Sequence, residues 1–494
     1  MNIEEKDNSL LIQKLHTRVK STFEEFGLVR TKVIVAVSGG ADSQTLLHIL
    51  NSIKDELSLT LHGAHFNHGL RVPDSDYDAK IVEELFKKYH MKYNIESASL
   101  KNIFGTTSST LETTARQFRY EFFYKIAVQE TADAIVLGHT SDDQAETVMM
   151  NIFRGTGLQG LQGMKSFSTR QKGKHSFAVF RPLISTSHEE NLSYCKISNI
   201  RPLEDPTNSS LIPRRNWIRN SLIQDVKNFY PNIVPSLNRL ATMSQDDYKL
   251  IEELIDKEWN SVVSDTIYPS LNSHLSISLK IKEVLSLNPS IQKHLLRRAY
   301  FNIVGNLENL TYHHVEQIID VLKGKSGKAC FLPNAIQAIN EYNTLTFYKN
   351  QAGLSDCMKT HPIAVKVPGE TILSNEWSIK TSYYSGSLSS SPKQENLSAV
   401  FRGTLGETEL NIRTRIPGDR FQPLGMTQSK NLSRYFIDLK IPRNRRCCLP
   451  LLISNDSIAW VGGLQIAEWA KVNNRAEPIL LVQLKTNLQN QAEF

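Results

Sequence analysis

The chain has 494 residues, 40% of them hydrophobic and 22% charged, an ordinary globular composition too long for a single core. Lys and Arg number 57 against 50 Asp and Glu, and the net charge of +7 suits a polyanionic partner without requiring one. The opening MNIEEKDNSL is acidic and no apolar run is long enough to span a bilayer, which argues against a secretory signal or membrane span and predicts a cytoplasmic protein.

The first informative stretch is VIVAVSGGADSQTLL, residues 33–47. A short β-branched strand empties into a Ser/Gly/Asp loop that opens a helix over residues 44–53. Gly39 and Gly40 let the backbone approach an anion, and the free N–H groups of the helix start favour negative charge. Neither GxxxxGK[ST] nor GxGxxG is present, so the loop is not the cradle of a P-loop NTPase or the dinucleotide fingerprint. A turn that merely closes a βα unit is the plain alternative.

Strand and helix signals then alternate. A strand is expected over 61–66, and an amphipathic helix over 77–89 with Ile81, Val82, Leu85, Phe86 and Tyr89 on one face. Another strand follows near 91–95, a third helix over 111–129, and a fourth strand over 134–137 that ends at Gly138-His139. This repetition predicts an α/β fold with a doubly wound parallel sheet, whose ligands bind beyond the carboxyl ends of the strands.

The segment GHTSDDQAET, residues 138–147, stands at such an end. Ser141 as N-cap with Gln144 three residues later makes a capping box, placing Asp142 and Asp143 in the first turn. Asp143 and Glu146 then share a face. First-turn acids are stabilised by the helix dipole for that reason alone, yet His139 and a glutamate one turn on exceed what capping needs. HFNHGLR, residues 65–71, follows the second strand, and His65 there reads equally as a core histidine. In ARQFRY, Arg116, Arg119 and Tyr120 share a helix face, as a phosphate clamp or as a solvated basic stripe. A glycine-dense RGTGLQGLQGM follows at 154–164, then EDPTN at 204–208 and RRNWIRN at 214–220.

Beyond Arg219 helical periodicity dominates, over 245–262, 290–304 and 312–322. GKSGK at 324–328 lacks the second half of a Walker loop and reads as a turn. Short strands return from 329, and the Ser-rich stretch 385–392 reads as a flexible loop or linker. Three domains are expected: 1–220 for catalysis, 221–355 mainly helical, and 360–494 mixed and β-rich. In the last, Lys430, Arg434, Lys440, Arg443, Arg445 and Arg446 are interrupted by Asp438 alone, and Trp460 and Trp469 follow. Such a set supplies salt-dependent affinity for a nucleic-acid backbone.

The SGGADS loop resembles the pyrophosphate-binding loop of the ATP pyrophosphatase (PP-loop) superfamily. Taken with HFNHGLR, ARQFRY, GHTSDDQAET, RGTGLQGLQGM, RPL at 181–183, EDPTN and RRNWIR, and near the other end IRTRIPGDRFQPLG, KIPRNRR and WVGGLQIAEWAKV, it resembles bacterial tRNA(Ile)-lysidine synthetase. Two local departures are DPTNSS after Glu204 and Gln465 where a basic residue is frequent. The resemblance implies a PP-loop catalytic domain followed by a helical domain and a smaller mixed one. It implies an ATP-dependent ligase that replaces the C2 oxygen of cytidine 34, in the CAU anticodon of tRNA(Ile), with the ε-amine of free lysine through an adenylated intermediate, releasing AMP and pyrophosphate. Ser38, Gly39, Gly40, Ala41, Asp42 and Ser43 would hold ATP, with Asp42 near Mg2+. Asp143 and Glu146 would bind the lysine ammonium, whose pKa of about 10.4 in water demands deprotonation before attack. His139 and Arg119 would flank the adenylated base or its phosphate; Arg116, Arg215, Arg219, Arg443, Arg445 and Arg446 would contact tRNA. A homodimer is a further expectation, and Asp142, His65 and His68 receive no role. The alternatives are a 2-thiocytidine synthetase, disfavoured because Cys195, Cys330, Cys357, Cys447 and Cys448 offer no CxxC, and a non-catalytic RNA-binding protein, disfavoured by the intact SGGADS.

Overall fold

The structure is a computed structural model that describes residues 3–67, 74–97, 111–172, 175–203, 214–264, 276–349, 361–374, 377–384, 397–441, 445–472 and 478–486. His68, the EDPTN segment, Cys357, the Ser-rich stretch 385–392 and Arg443 lie outside the described residues. The chain divides into two compact units, Met1–Leu250 and Ile251–Phe494.

In the first unit, α1 (Ile3–Glu25) precedes β1 (Lys32–Ala36), α2 (Ala41–Ile53), β2 (Thr60–Asn67), α3 (Asp74–Lys88), β3 (Lys92–Ser97), α4 (Leu111–Gln129), β4 (Ala134–Leu137) and α5 (Ser141–Phe153). Then come the short α6 (Leu158–Leu161), the hairpin β5 (Phe167–Lys172) and β6 (His175–Phe180), and α7 (His188–Ile197). The six strands form one sheet in the order β3-β2-β1-β4-β6-β5, with every pair parallel except β5 with β6. The expected doubly wound sheet is therefore present, with an antiparallel edge that the polar RQKGKH segment conceals in sequence.

The period of two divides each central strand between two cores. Val33 and Val35 of β1, with Ala134 and Val136 of β4, pack against Leu15, Val19 and Phe23 of α1 and Leu46, Leu47 and Leu50 of α2. Ile34 and Ala36, with Ile135 and Leu137, pack instead on Phe122, Phe123 and Ile126 of α4. Both faces are covered, so the carboxyl ends of the strands are where the sheet meets its loops.

After α7, the chain forms α8 (Arg214–Trp217), a π-helical turn (Ile218–Leu222), α9 (Ile223–Phe229) and the long α10 (Ile233–Val262). Ala145 and Val148 of α5 bury Ile218, Ile223, Val234, Leu237 and Ala241. That cluster carries the first unit past residue 220, to Leu250.

The second unit holds two cores. Helices Pro289–Val304 and Tyr312–Leu322 stand where the periodicity puts them, and they cover a four-stranded antiparallel sheet of Ser276–Lys280, Thr344–Lys349, Ile336–Glu341 and Ala329–Leu332. The Asn340 side chain donates to the carbonyls of Val321 and Gly324, closing GKSGK as a turn. The C-terminal core lies between two further four-stranded sheets, so the tail is β-rich as expected. Its tryptophans are structural. Trp460 is 2% exposed with its ring edge-on to Phe401, and Trp469 Nε1 donates to the Ile458 carbonyl at 3.0 Å. Gln465 accepts from the Tyr435 hydroxyl and donates to Leu424 O, an interior role that needs no cation.

Because Trp460 fills the core rather than meeting solvent, Trp460→Ala is expected to lower unfolding stability by about 3–5 kcal/mol while Trp460→Phe loses far less. Chemical denaturation of both variants checks this; equal stability of Trp460→Ala and wild type would return the ring to a surface role.

Candidate active site

The loop after β1 is a tight turn held by its own hydrogen bonds. Gly39 has φ +94°, and a Cβ there would stand 2.5 Å from Leu203 Cδ1, so only glycine lets the loop turn here. The Ser43 hydroxyl accepts from the N–H groups of Ser38 (3.2 Å) and Gly39 (3.1 Å) and donates to Gly40 O, tying the loop to the helix it opens. Gly40 is the N-cap of α2 and supplies no capping side chain, so the first amides of this thirteen-residue helix have no side-chain cap.

Beside this loop stands the end of β4. A Cβ on Gly138 would lie 3.1 Å from Ser43 Cα and 3.2 Å from Asp42 O, so a side chain there would push the two motifs apart. Asp42 accepts from Asn191 Nδ2 at 2.7 Å and pairs with His188 Nδ1 at 3.0 Å. His188 opens α7, and its backbone N–H donates to Asp142 Oδ2 at 2.8 Å. One residue thus bridges the phosphate loop and the acidic helix, which gives Asp142 a positioning role. The Asp42 carboxylate raises the His188 pKa above its ordinary value, against burial. Nothing local in the sequence announces His188 except the capping box Ser187–Glu190, which fixes it as the first residue of its helix.

Helix α5 is capped one residue earlier than expected. Thr140 is the N-cap and Asp143 the reciprocating N3 residue, with Thr140 N–H donating to Asp143 Oδ2 at 2.9 Å. The expected Ser141–Gln144 box is corrected: Gln144 turns inward, donating to Met164 O and accepting from Met164 N–H, and so anchors the glycine-dense loop.

Asp143 and Glu146 share a face, and two guanidiniums clamp that face. Arg215 Nε donates to Glu146 at 2.7 Å and its Nη2 to Asp143 at 3.2 Å; Arg219 Nε donates to Glu146 and its Nη2 to Asp143 at 3.0 Å. Glu146 is 1% exposed, a buried charge that demands such pairing. Arg215 lies on α8 and Arg219 on the π-helical turn, a local distortion of the kind that gathers at functional sites. Burial opposes ionisation of Asp143, but Arg215, the Thr140 N–H and Arg219 outweigh it and hold the carboxyl below its ordinary range. Burial likewise works against Arg219, and Glu146 reverses the sign, so that guanidinium is held more firmly charged.

His139 sits over the start of α5. Burial pushes its pKa down to about 3, only partly opposed by Asp143, so the imidazole is neutral at pH 7. Its Nδ1 is buried with no hydrogen-bond partner among the described residues. Nearby, Arg116 stacks over the Tyr120 ring at 4.8 Å and donates to its hydroxyl. Burial raises the Tyr120 pKa, and Arg116, Arg181 and the half-buried Arg119 more than reverse it. Arg181 is itself buried, with Nη1 on Lys165 O at 2.9 Å.

Three sequence candidates stand elsewhere. His65 is buried with Nδ1 against Val37 O at 2.8 Å, a core histidine. Arg446 donates to Ile441 O and to the Tyr342 hydroxyl, and Arg445 to the Ser276 hydroxyl, so both guanidiniums tie the C-terminal core to the preceding sheet within the second unit.

A parallel sheet with this loop at a carboxyl end defines the class: residues 11–226 match the model of the PP-loop domain, and residues 410–482 match that of the TilS substrate C-terminal domain. The tRNA(Ile)-lysidine synthase of Dehalococcoides mccartyi is 31% identical over 478 residues, covering 95% of this chain and 99% of the relative. That of Clostridium tetani is 30% identical over 476 residues, covering 96% and 99%. A solved TilS C-terminal domain is 28% identical, covering 24% of this chain and 92% of its own, with a TM-score of 0.22. The chain belongs to the tRNA(Ile)-lysidine synthase family.

The two site histidines titrate on opposite sides of the ordinary value. His188, raised by Asp42, steadies the fold most fully below its unfolded pKa and loses that contribution as pH rises through the folded one. His139, lowered by burial, costs stability as pH falls from about 6.5 toward 3, where the unfolded chain binds the proton first. Imidazole NMR is expected to show His139 unchanged between pH 8 and 5 while His188 titrates above the ordinary histidine value; titration of His139 near 6.5 would contradict the burial argument.

Proposed function

We propose the following division of labour in this ATP-dependent ligase, which makes lysidine in tRNA(Ile). The loop Ser38–Ser43 and the first amides of α2 take the phosphates of ATP. The Asp42 carboxylate, about a quarter exposed beside that helix start, would hold a Mg2+. When bound, the ion offsets phosphate charge.

The C2 oxygen of the target cytidine attacks the α-phosphorus, and pyrophosphate leaves with the bonding pair. A ring oxygen so converted to a phosphate ester becomes displaceable. The ε-nitrogen of lysine then bonds C2, the C2–O bond breaks, and AMP departs with that oxygen. Asp143 and Glu146, the carboxylate pair that shares a face at the start of α5, hold the ammonium and take its protons. The neutral His139, whose Nδ1 has no partner among the described residues, hydrogen-bonds the adenylated base or its phosphate. Arg116 and Arg119 meet phosphate from α4, and Arg215 and Arg219 steady the carboxylates while facing the target nucleotide. The observation that carries this reading is the doubly clamped carboxylate pair beside an uncapped phosphate-binding helix. A place of action in the cytoplasm follows from tRNA and ATP as substrates. Arg443, Arg445 and Arg446 are assigned to tRNA contact by motif alone.

The test separates activation from transfer. Ser38→Ala and Asp42→Ala are expected to abolish tRNA-dependent pyrophosphate release while tRNA affinity stays near wild type. Glu146→Gln is expected to keep pyrophosphate release and raise the lysine KM by roughly ten- to a hundredfold, the loss of one ionic hydrogen bond of about 1.5–3 kcal/mol. Its thermal midpoint should also fall, since Arg215 and Arg219 lose part of their countercharge. Glu146→Gln with an unmoved lysine KM, or a loop variant with normal turnover, overturns the assignment.

A further inference from the structure

The face of α5 that carries Glu146 continues, at i+4 and i+7, through Met150 to Phe153, about 10 Å along the helix axis. Phe153 is 58% exposed, and against it stands Trp217, 42% exposed, with ring centroids 6.4 Å apart and planes at 43°. Trp217 sits between Arg215 and Arg219 in sequence, on the element that clamps the carboxylates, while its neighbour Ile218 is buried. Two large aromatic rings in contact with each other and with water are costly on a protein surface unless something covers them.

Resting on the lysidine reading, we propose that Trp217 and Phe153 form a stacking platform for a base next to the target nucleotide of the RNA substrate. A base presented for chemistry on its ring must leave the stack, which strips its neighbour of one stacking partner. An exposed indole two turns from the reacting carboxylates replaces that partner, as aromatic platforms do in single-stranded RNA recognition. The rim is cationic: Arg154 follows Phe153 directly and Arg214 lies three residues before Trp217, both exposed, so a polyanion is favoured over an apolar protein surface. Stacking of this kind is sequence-tolerant and positions the strand, so the ring pair acts on RNA affinity and placement rather than on lysine.

The probe is an unmodified anticodon stem-loop with a CAU loop, titrated into the full chain. Trp217→Ala is expected to weaken stem-loop binding roughly five- to a hundredfold and raise the tRNA KM, with the lysine KM and thermal midpoint unmoved; Trp217→Phe is expected to restore most of the loss. Stem-loop binding should quench the tryptophan emission of wild type more than that of Trp217→Phe. Unchanged stem-loop affinity in Trp217→Ala, or a loss of self-association in that variant by sedimentation with RNA binding intact, overturns the platform. Wild type that makes no lysidine yet shows the Trp217-dependent quench overturns the reaction and leaves the platform; lysidine formation with no such quench does the reverse.

Discussion

Glu146, buried on the same turn of α5 as the partly buried Asp143, needs cationic partners, and the segment after residue 213 supplies them. Glu146 is all but closed to solvent, and Arg215 and Arg219 reach both acids from a helix that the chain forms only after the sheet is complete. The clamp therefore does two things at once. It fixes α8 and the π-helical turn on α5, with Ile218 and Ile223 in the core beneath, and it supplies the countercharge that the two carboxylates need.

The sheet supplies the second constraint, which is proximity. The loop after β1 and the helix after β4 belong to adjacent parallel strands, so their carboxyl ends fall side by side. Gly138 removes the side chain that would hold them apart, and His188 ties Asp42 to Asp142 from a third element. In the proposed reaction the group activated on the loop meets the acids beside it, close to His139, whose Nδ1 has no partner among the described residues. The proposed two-step transfer rests on this convergence of the loop, the acids of α5 and His188.

Much of this was open to reading from the chain. Alternating apolar residues in VIVAV and AIVL belong to strands covered on both faces, and the structure divides them between two cores residue by residue. The helix over 111–129 and that over 312–322 begin and end where their periodicity does. The stripe Leu15, Val19, Phe23 was the available signal for α1. The cap of α5 went one residue astray because TSDD and SDDQ are overlapping boxes; Asp143 takes the reciprocal bond, which releases Gln144 to hold the loop at Met164. His188 was not legible, since its partners come from distant segments. Trp460 was misread because a tryptophan near basic residues looks the same in sequence whether it faces RNA or fills a core. Arg445 and Arg446 show the converse, cations whose hydrogen bonds turn inward within the second unit.

Coupling of the two halves of the proposed site requires that the base oxygen be made into a leaving group at the phosphate loop before the amine arrives at the carboxylates. Isotope tracing tests it without reference to any single residue. With tRNA(Ile) carrying 18O at C2 of the target cytidine, incubated with ATP, Mg2+ and lysine, the label is expected in the phosphate of the released AMP, one atom for each lysidine formed. Lysidine accompanied by unlabelled AMP, with the 18O in water or in pyrophosphate, would contradict adenylation of the base and with it the coupling of the two halves of the site.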